Sequence, residues 1–75
     1  MLHENNRHVI KLSTREMEVL QLIVMEKTTI EMGNILFISP DTIKTHRKSI
    51  MMKLGANNMA GMVRKAYEEG FLSLG

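Results

Sequence analysis

Apolar residues recur at intervals of three and four over most of this chain, and no stretch alternates apolar and polar with the period of two that marks a strand. The pattern predicts an all-α protein, a compact domain of four helices. Met17, Leu20, Ile23 and Val24 share one face of the first. Ser13 and Glu16 open it as a Ser-x-x-Glu capping box, in which each side chain satisfies a free amide of the first turn. The helix should cover residues 14–27. Thr28 and Glu31 repeat the device and open a short second helix over 29–36, which carries Ile30, Met32, Ile35 and Leu36. Gly33 sits inside it, where glycine costs about 1 kcal/mol relative to alanine. Either another backbone approaches closely at Gly33, or the glycine is a mildly destabilising accident.

Phe37 and Ile38 form a tight apolar connection to a third helix over 40–54. Ser39 is its N-cap and Pro40 its first residue, where a missing amide proton costs nothing. Gly55 is suited to the C-terminal cap. At about 100° per residue, Ile43, Ile50 and Leu54 form one stripe with His46 at its edge. Asp41, Lys44, Thr45, Lys48 and Met52 lie opposite. Arg47 borders the apolar stripe and reaches outward by snorkelling. A fourth helix, 58–69, starts at Asn58 and stops before Gly70. Met59, Met62, Val63 and Ala66 trace its apolar side with Tyr67. Phe71, Leu72 and Leu74 add an apolar tail.

With 75 residues, 44% hydrophobic and 24% charged, the chain has room for one small globular domain. Residues 1–11 lack helical periodicity and read as a flexible arm, leaving 12–75 as the domain. No apolar run approaches the ~18 residues needed to span a bilayer, and the polar N-terminus does not resemble a signal peptide. The absence of cysteine excludes a disulfide framework, a thiolate metal site and a cysteine nucleophile, and suits the cytoplasm. A core of this size supplies only a few kcal/mol, so self-association would add useful burial.

The net charge of +2 is unevenly placed. Residues 39–54 hold Lys44, Arg47, Lys48 and Lys53 against Asp41, a local balance of +3 that leaves −1 for the rest. One basic segment on a slightly acidic body is an electrostatic footprint for a polyanion, although a solvated lysine face would carry the same residues. Two short helices joined by a tight turn, the second basic on its outer face, are the elements of a helix-turn-helix. Its physical requirements are met in turn. Gly33 permits a close crossing, and Leu36 and Ile38 anchor the turn from within. Lys44, Thr45 and Lys48 face a groove, and the helix N-terminus offers free amides to phosphate.

The segments LSTREMEVLQLI (12–23) and LFISPDTIKTHRKSIMMKLGA (36–56) closely resemble the LuxR/GerE-type DNA-binding domain, which is also the output domain of NarL/FixJ-type response regulators. The resemblance covers about residues 12–72, with TIKTH and KLG its most specific parts. It implies a helix-turn-helix at 29–48, sequence-specific binding of double-stranded DNA with the third helix in the major groove, and dimerisation through the fourth. Lys44 and Lys48 would enter the groove with Thr45 between them, and Thr28, Thr29 and Ile30 would lie against phosphate. Ser39, Asp41, Thr42 and Arg47 complete the expected DNA-binding set. Met59, Met62, Val63 and Tyr67 are the expected dimer interface. The partners implied are duplex DNA and a second copy of the chain, with RNA polymerase a further candidate. Where the family usually has a small polar residue, Asn and Lys before the second helix, Thr28, Thr29 and Ile30 stand here, so one phosphate-binding cation is lost. Gly33 replaces the usual alanine, and Met59 an Arg or Thr.

Other chemistry is weakly supported. His3, His8 and His46 form no helical pair for a metal, and no cofactor is expected. Ser13, Ser39 and Ser49 read as two caps and a helix-surface residue, without a base beside them, so no enzyme is expected. The eight methionines fill a core adaptably, or form a protein-binding surface on the fourth helix. The competing function is a protein-interaction module on the same fold with an incidental basic face. RNA suits the chain poorly, since aromatic stacking residues are nearly absent.

Overall fold

The computed structural model describes residues 9–74, which form four helices in the order α1 (Thr14–Val24), α2 (Thr29–Leu36), α3 (Pro40–Leu54) and α4 (Met59–Glu68). Among the described residues there is no strand. The expected caps are all present. Ser13 and Thr28 each form a complete capping box, with Glu16 and Glu31 respectively. Ser39 accepts the Thr42 amide, and Asn58 accepts that of Gly61.

α3 packs against each of the other three helices and is the axis of the fold. Val19, Leu20 and Ile23 of α1, Met32 of α2, Ile43, Ile50 and Leu54 of α3, and Met62 and Ala66 of α4 form one core, closed by Leu72. Full burial of such a side chain is worth about 1.5–3 kcal/mol, so one face of α3 anchors the domain. Four of the methionines fill this interior: Met32 and Met62 are buried, and Met17 and Met51 pack against the core.

α1 ends at Val24, earlier than the pattern predicted for 14–27. Glu26 adopts a left-handed conformation (φ 61°), and the amides of Glu26 and Lys27 turn back to the carbonyls of Ile23 and Leu22. This is a Schellman stop built without the glycine that normally announces one. α2 stops the same way on Phe37 (φ 59°), whereas α3 and α4 use Gly55 and Gly70. Phe37 is 92% exposed and so contributes little to the apolar connection read from sequence; Ile38 alone turns inward. Ile10, assigned to the arm, packs against the core, so the fold takes in the end of that segment. The remainder of the proposed arm, residues 1–8 with His3 and His8, lies outside the described residues.

Candidate nucleic-acid interface

The outer face of α3 results from its inner one. With Ile43, Ile50 and Leu54 almost fully buried, rotation about the helix axis is fixed. Asp41, Thr42, Lys44, Thr45, Lys48 and Met52 are consequently exposed. Lys44, Arg47 and Lys48 line an open groove with Met51. Arg47 is half-buried, as its position beside the apolar stripe required. The Thr45 hydroxyl donates to the Asp41 carbonyl at 3.1 Å, one turn back. The Ser39 hydroxyl accepts the Thr42 amide at 3.1 Å and lies 3.0 Å from the Thr42 hydroxyl.

Gly33 explains how α2 and α3 come together. A Cβ built on it would lie 2.6 Å from the carbonyl oxygen of Ile38 and 3.6 Å from the Pro40 nitrogen. The close neighbour is therefore the turn and the entry to α3, and the Ile38 amide donates to the Gly33 carbonyl at 3.0 Å. At the start of α2, the N-cap Thr28 and the second helical residue Ile30 are exposed and Thr29 is half-buried. The Thr28 hydroxyl is committed to the Glu31 amide at 3.1 Å. The Thr28 amide in turn holds the Glu31 carboxyl below its ordinary pKa.

Glu16, half of the capping box that opens α1, is also a buried carboxylate that locks α3 to α1. Glu16 is 5% exposed. Its Oε1 accepts from the Ser13 amide at 2.8 Å and from Lys53 Nζ at 2.7 Å, and its Oε2 from the Ser49 hydroxyl at 2.6 Å. Burial would raise the Glu16 pKa, but the hydrogen bonds from Lys53, Ser49 and Ser13, with the charge of Lys53, outweigh it and hold the group at about 2. Ser49 is thus a half-buried tie rather than a helix-surface residue. Lys53, counted in the basic segment, is turned to Glu16. The spacing from Glu16 to Lys53 offers no local signal for this contact. A basic residue in the last turn of a helix whose neighbour carries an inward acid was the available hint.

The expected dimer set needs one correction. Met62 is fully buried in the core of its own chain and presents nothing to a partner. Its place on the apolar side of α4 reflects packing on α3. Met59 is 36% exposed, and Val63 and Tyr67 are half-buried. Among the described residues no group of three or more His, Cys, Asp or Glu could hold a metal, and no helix is long and apolar enough to cross a membrane.

A short helix and a longer one, joined by a turn that packs on Gly33, the second carrying an exposed cationic face over a buried apolar one, define a helix-turn-helix domain. The chain belongs to the bacterial regulatory proteins of the luxR family, whose model matches residues 11–66. This makes it a DNA-binding domain of the transcription-regulating kind. It is 40% identical over 63 residues to the spore germination protein GerE of Bacillus subtilis (strain 168), covering 84% of this chain and 85% of that one. It is 39% identical over 62 residues to the transcriptional regulatory protein MctR of Rhizobium johnstonii, and 38% over 64 to an uncharacterized response regulatory protein, YgeK, of Escherichia coli (strain K12). These matches cover 83% and 85% of this chain but only 29% and 44% of the relatives, so the chain spans less than half the length of either. The crystal structure of the response regulator ChrA, from a heme-sensing two-component system, superposes with a TM-score of 0.79 at 30% identity. That match covers 92% of this chain and 34% of ChrA.

Proposed function

We propose that this chain reads specific duplex DNA sequences for a transcriptional regulator by laying α3 in the major groove, as a dimer on two half-sites. The observation that carries the reading is the two-sidedness of α3. Ile43 and Ile50 are 0% exposed, while Lys44, Thr45 and Lys48 face outward along one side. A helix fixed in rotation presents the same side chains to every duplex, as reading base edges requires. Lys44 and Lys48 would donate to guanine, and Arg47 would reach phosphate beside them. Ser39, Thr42 and the segment Thr28 to Ile30 would lie against the backbone. Met59, Val63 and Tyr67 are the proposed dimer contacts. A cytoplasmic setting with RNA polymerase as a further partner suits a regulator of transcription.

The test is selection of bound duplexes from a random pool, followed by isotherms on selected and scrambled duplexes at one salt concentration. Lys44→Ala and Lys48→Ala should each cost about 1–3 kcal/mol on the selected site and much less on the scrambled one. Lys65→Ala, on α4, should change little on either. Equal losses for all three on both duplexes would show α3 to be only a source of charge. A protein-interaction module would show no salt-dependent retention on duplex DNA.

A further inference from the structure

Cations that donate to guanine also attract the phosphates of every sequence, and the α3 face carries, at its leading end, an acid that such attraction does not explain. We propose that Asp41 is a specificity-determining residue that accepts a hydrogen bond from a cytosine amine in the major groove. Thr45, one turn on, reads a nearby thymine through its methyl group. This deepens the groove reading of α3 and rests on it.

Asp41 is the second residue of α3, and the N-terminal residues of such a helix are those that meet base edges. At 100° per residue it lies within about 40° of Thr45, Lys48 and Met52, on the middle line of the outer face. Its neighbours Ser39 and Thr42 are bonded to the helix start and to each other. The Asp41 carboxylate is exposed and takes part in no hydrogen bond or ion pair among the described residues. An acceptor-only group meets repulsion from guanine N7 and O6 and from thymine O4. Adenine sets its own N7 acceptor beside its amine, so cytosine N4 is the favourable partner. Near any other sequence the same charge repels phosphate, so Asp41 weakens binding wherever it lacks that partner.

Thr45 is prepared by the bond already described. Because its hydroxyl donates to the Asp41 carbonyl, the proton is committed to the backbone and the methyl group remains for the groove. A thymine C5-methyl is the apolar feature the major groove offers. Four residues of helix rise about 6 Å, against about 3.4 Å per base step. Cytosine and thymine should therefore fall within two base steps of each other in each half-site.

The experiment selects duplexes from a random pool with the full chain and with Asp41→Asn, Asp41→Ala, Thr45→Ser and Thr45→Val, then measures isotherms at fixed salt. Selected sites should contain one fixed C·G pair, and Asp41→Asn should move that position towards adenine, which pairs two-fold with an amide. Asp41→Ala should bind scrambled duplex several-fold more tightly while losing about tenfold of its preference at that pair. Thr45→Val keeps the methyl group and should keep the thymine preference; Thr45→Ser should lose it. If Asp41→Ala tightens binding equally on every duplex and leaves the selected sequence unchanged, Asp41 is only a repelling charge and the proposal falls. Retained thymine preference in Thr45→Ser but not in Thr45→Val would make the hydroxyl the reader and overturn the methyl assignment. Lys44→Ala and Lys48→Ala separate the two levels. If they relax the selected sequence and the Asp41 variants do not, only this inference fails; if none of them does, the groove reading fails with it.

Discussion

Replacing Gly33 by alanine sets two physical effects of opposite sign against each other. In an unconstrained helix interior alanine is better than glycine by about 1 kcal/mol. In α2 the new Cβ would stand 2.6 Å from the Ile38 carbonyl oxygen, a backbone atom with no rotamer by which to escape. Ordinary contact needs almost 1 Å more. The turn is also held onto the glycine by the bond from the Ile38 amide to the Gly33 carbonyl at 3.0 Å, so retreat weakens that bond. Overpacking of this kind costs about 1–3 kcal/mol, and a strained hydrogen bond up to about 1 kcal/mol more. The clash should win, leaving Gly33→Ala destabilised by roughly 1–2 kcal/mol, or several degrees in Tm for a domain of this size. Gly61 in α4 supplies the control. A Cβ there meets only the Asn58 Oδ1 at 3.4 Å and the Ala56 Cβ at 3.7 Å. Gly61→Ala should therefore gain a few tenths to about 1 kcal/mol from propensity alone. Urea melts of the two variants beside the parent decide the matter. Gly33→Ala also displaces Ile38 and Pro40, the entry to α3, so its affinity for a selected duplex should fall even well below the melt. Stability equal to or above the parent would show that the turn yields freely and that close approach does not explain the glycine.

Phe37→Gly should raise stability by about 1 kcal/mol, because the residue is left-handed and 92% exposed, with little packing to lose; a lower thermal midpoint would reveal an aromatic contact that matters. Met62→Glu should unfold the domain, costing roughly 3 kcal/mol or more through an unpaired charge in the core, and circular dichroism would separate this from loss of a dimer. Glu16→Gln should lower stability near neutral pH. The Glu16 pKa is depressed from 4.5 to about 2, so its stabilisation is complete above the unfolded value and is lost as pH falls through the folded one. The gap between parent and variant should therefore close between about pH 5 and pH 2, by about 3 kcal/mol, in denaturant titrations; a pH-independent gap would remove the charge from the explanation.

The helices were legible because their signals are local. The capping boxes at Ser13 and Thr28, and Ser39 followed by Pro40, fix where the first three begin; Gly55 and Gly70 mark two ends. The end of α1 was not legible, because Glu26 takes a left-handed conformation that its side chain does not advertise. The close approach at Gly33 could be inferred from a residue that makes no sense in a free helix. That the turn, rather than a helix flank, comes closest depends on the path of residues 37–40. Met62 was misjudged for a related reason. Periodicity shows that a face is apolar but not whether a neighbour in the same chain already covers it, and α3 does.

Charge shows the same division between what a linear pattern contains and what packing decides. Four cations in residues 39–54 look equivalent in sequence. The structure divides them by their angle about α3: Lys44 and Lys48 project outward, Arg47 lies along the groove, and Lys53 turns to Glu16 on α1. Lys53 therefore supports the orientation of the reading face instead of adding to its charge. The pair also ties the last turn of α3 to α1 through a hydrogen bond whose direction is fixed by the buried acid, which apolar packing alone would not specify. On this account three cations of α3 are available to phosphates or bases in each copy, and a dimer would displace about six counterions, a slope of about −5 in log affinity against log salt. A slope nearer −7 would mean that Lys53 leaves Glu16 for the duplex, and of the two polar ties from α3 to Glu16 only the Ser49 hydroxyl would then remain.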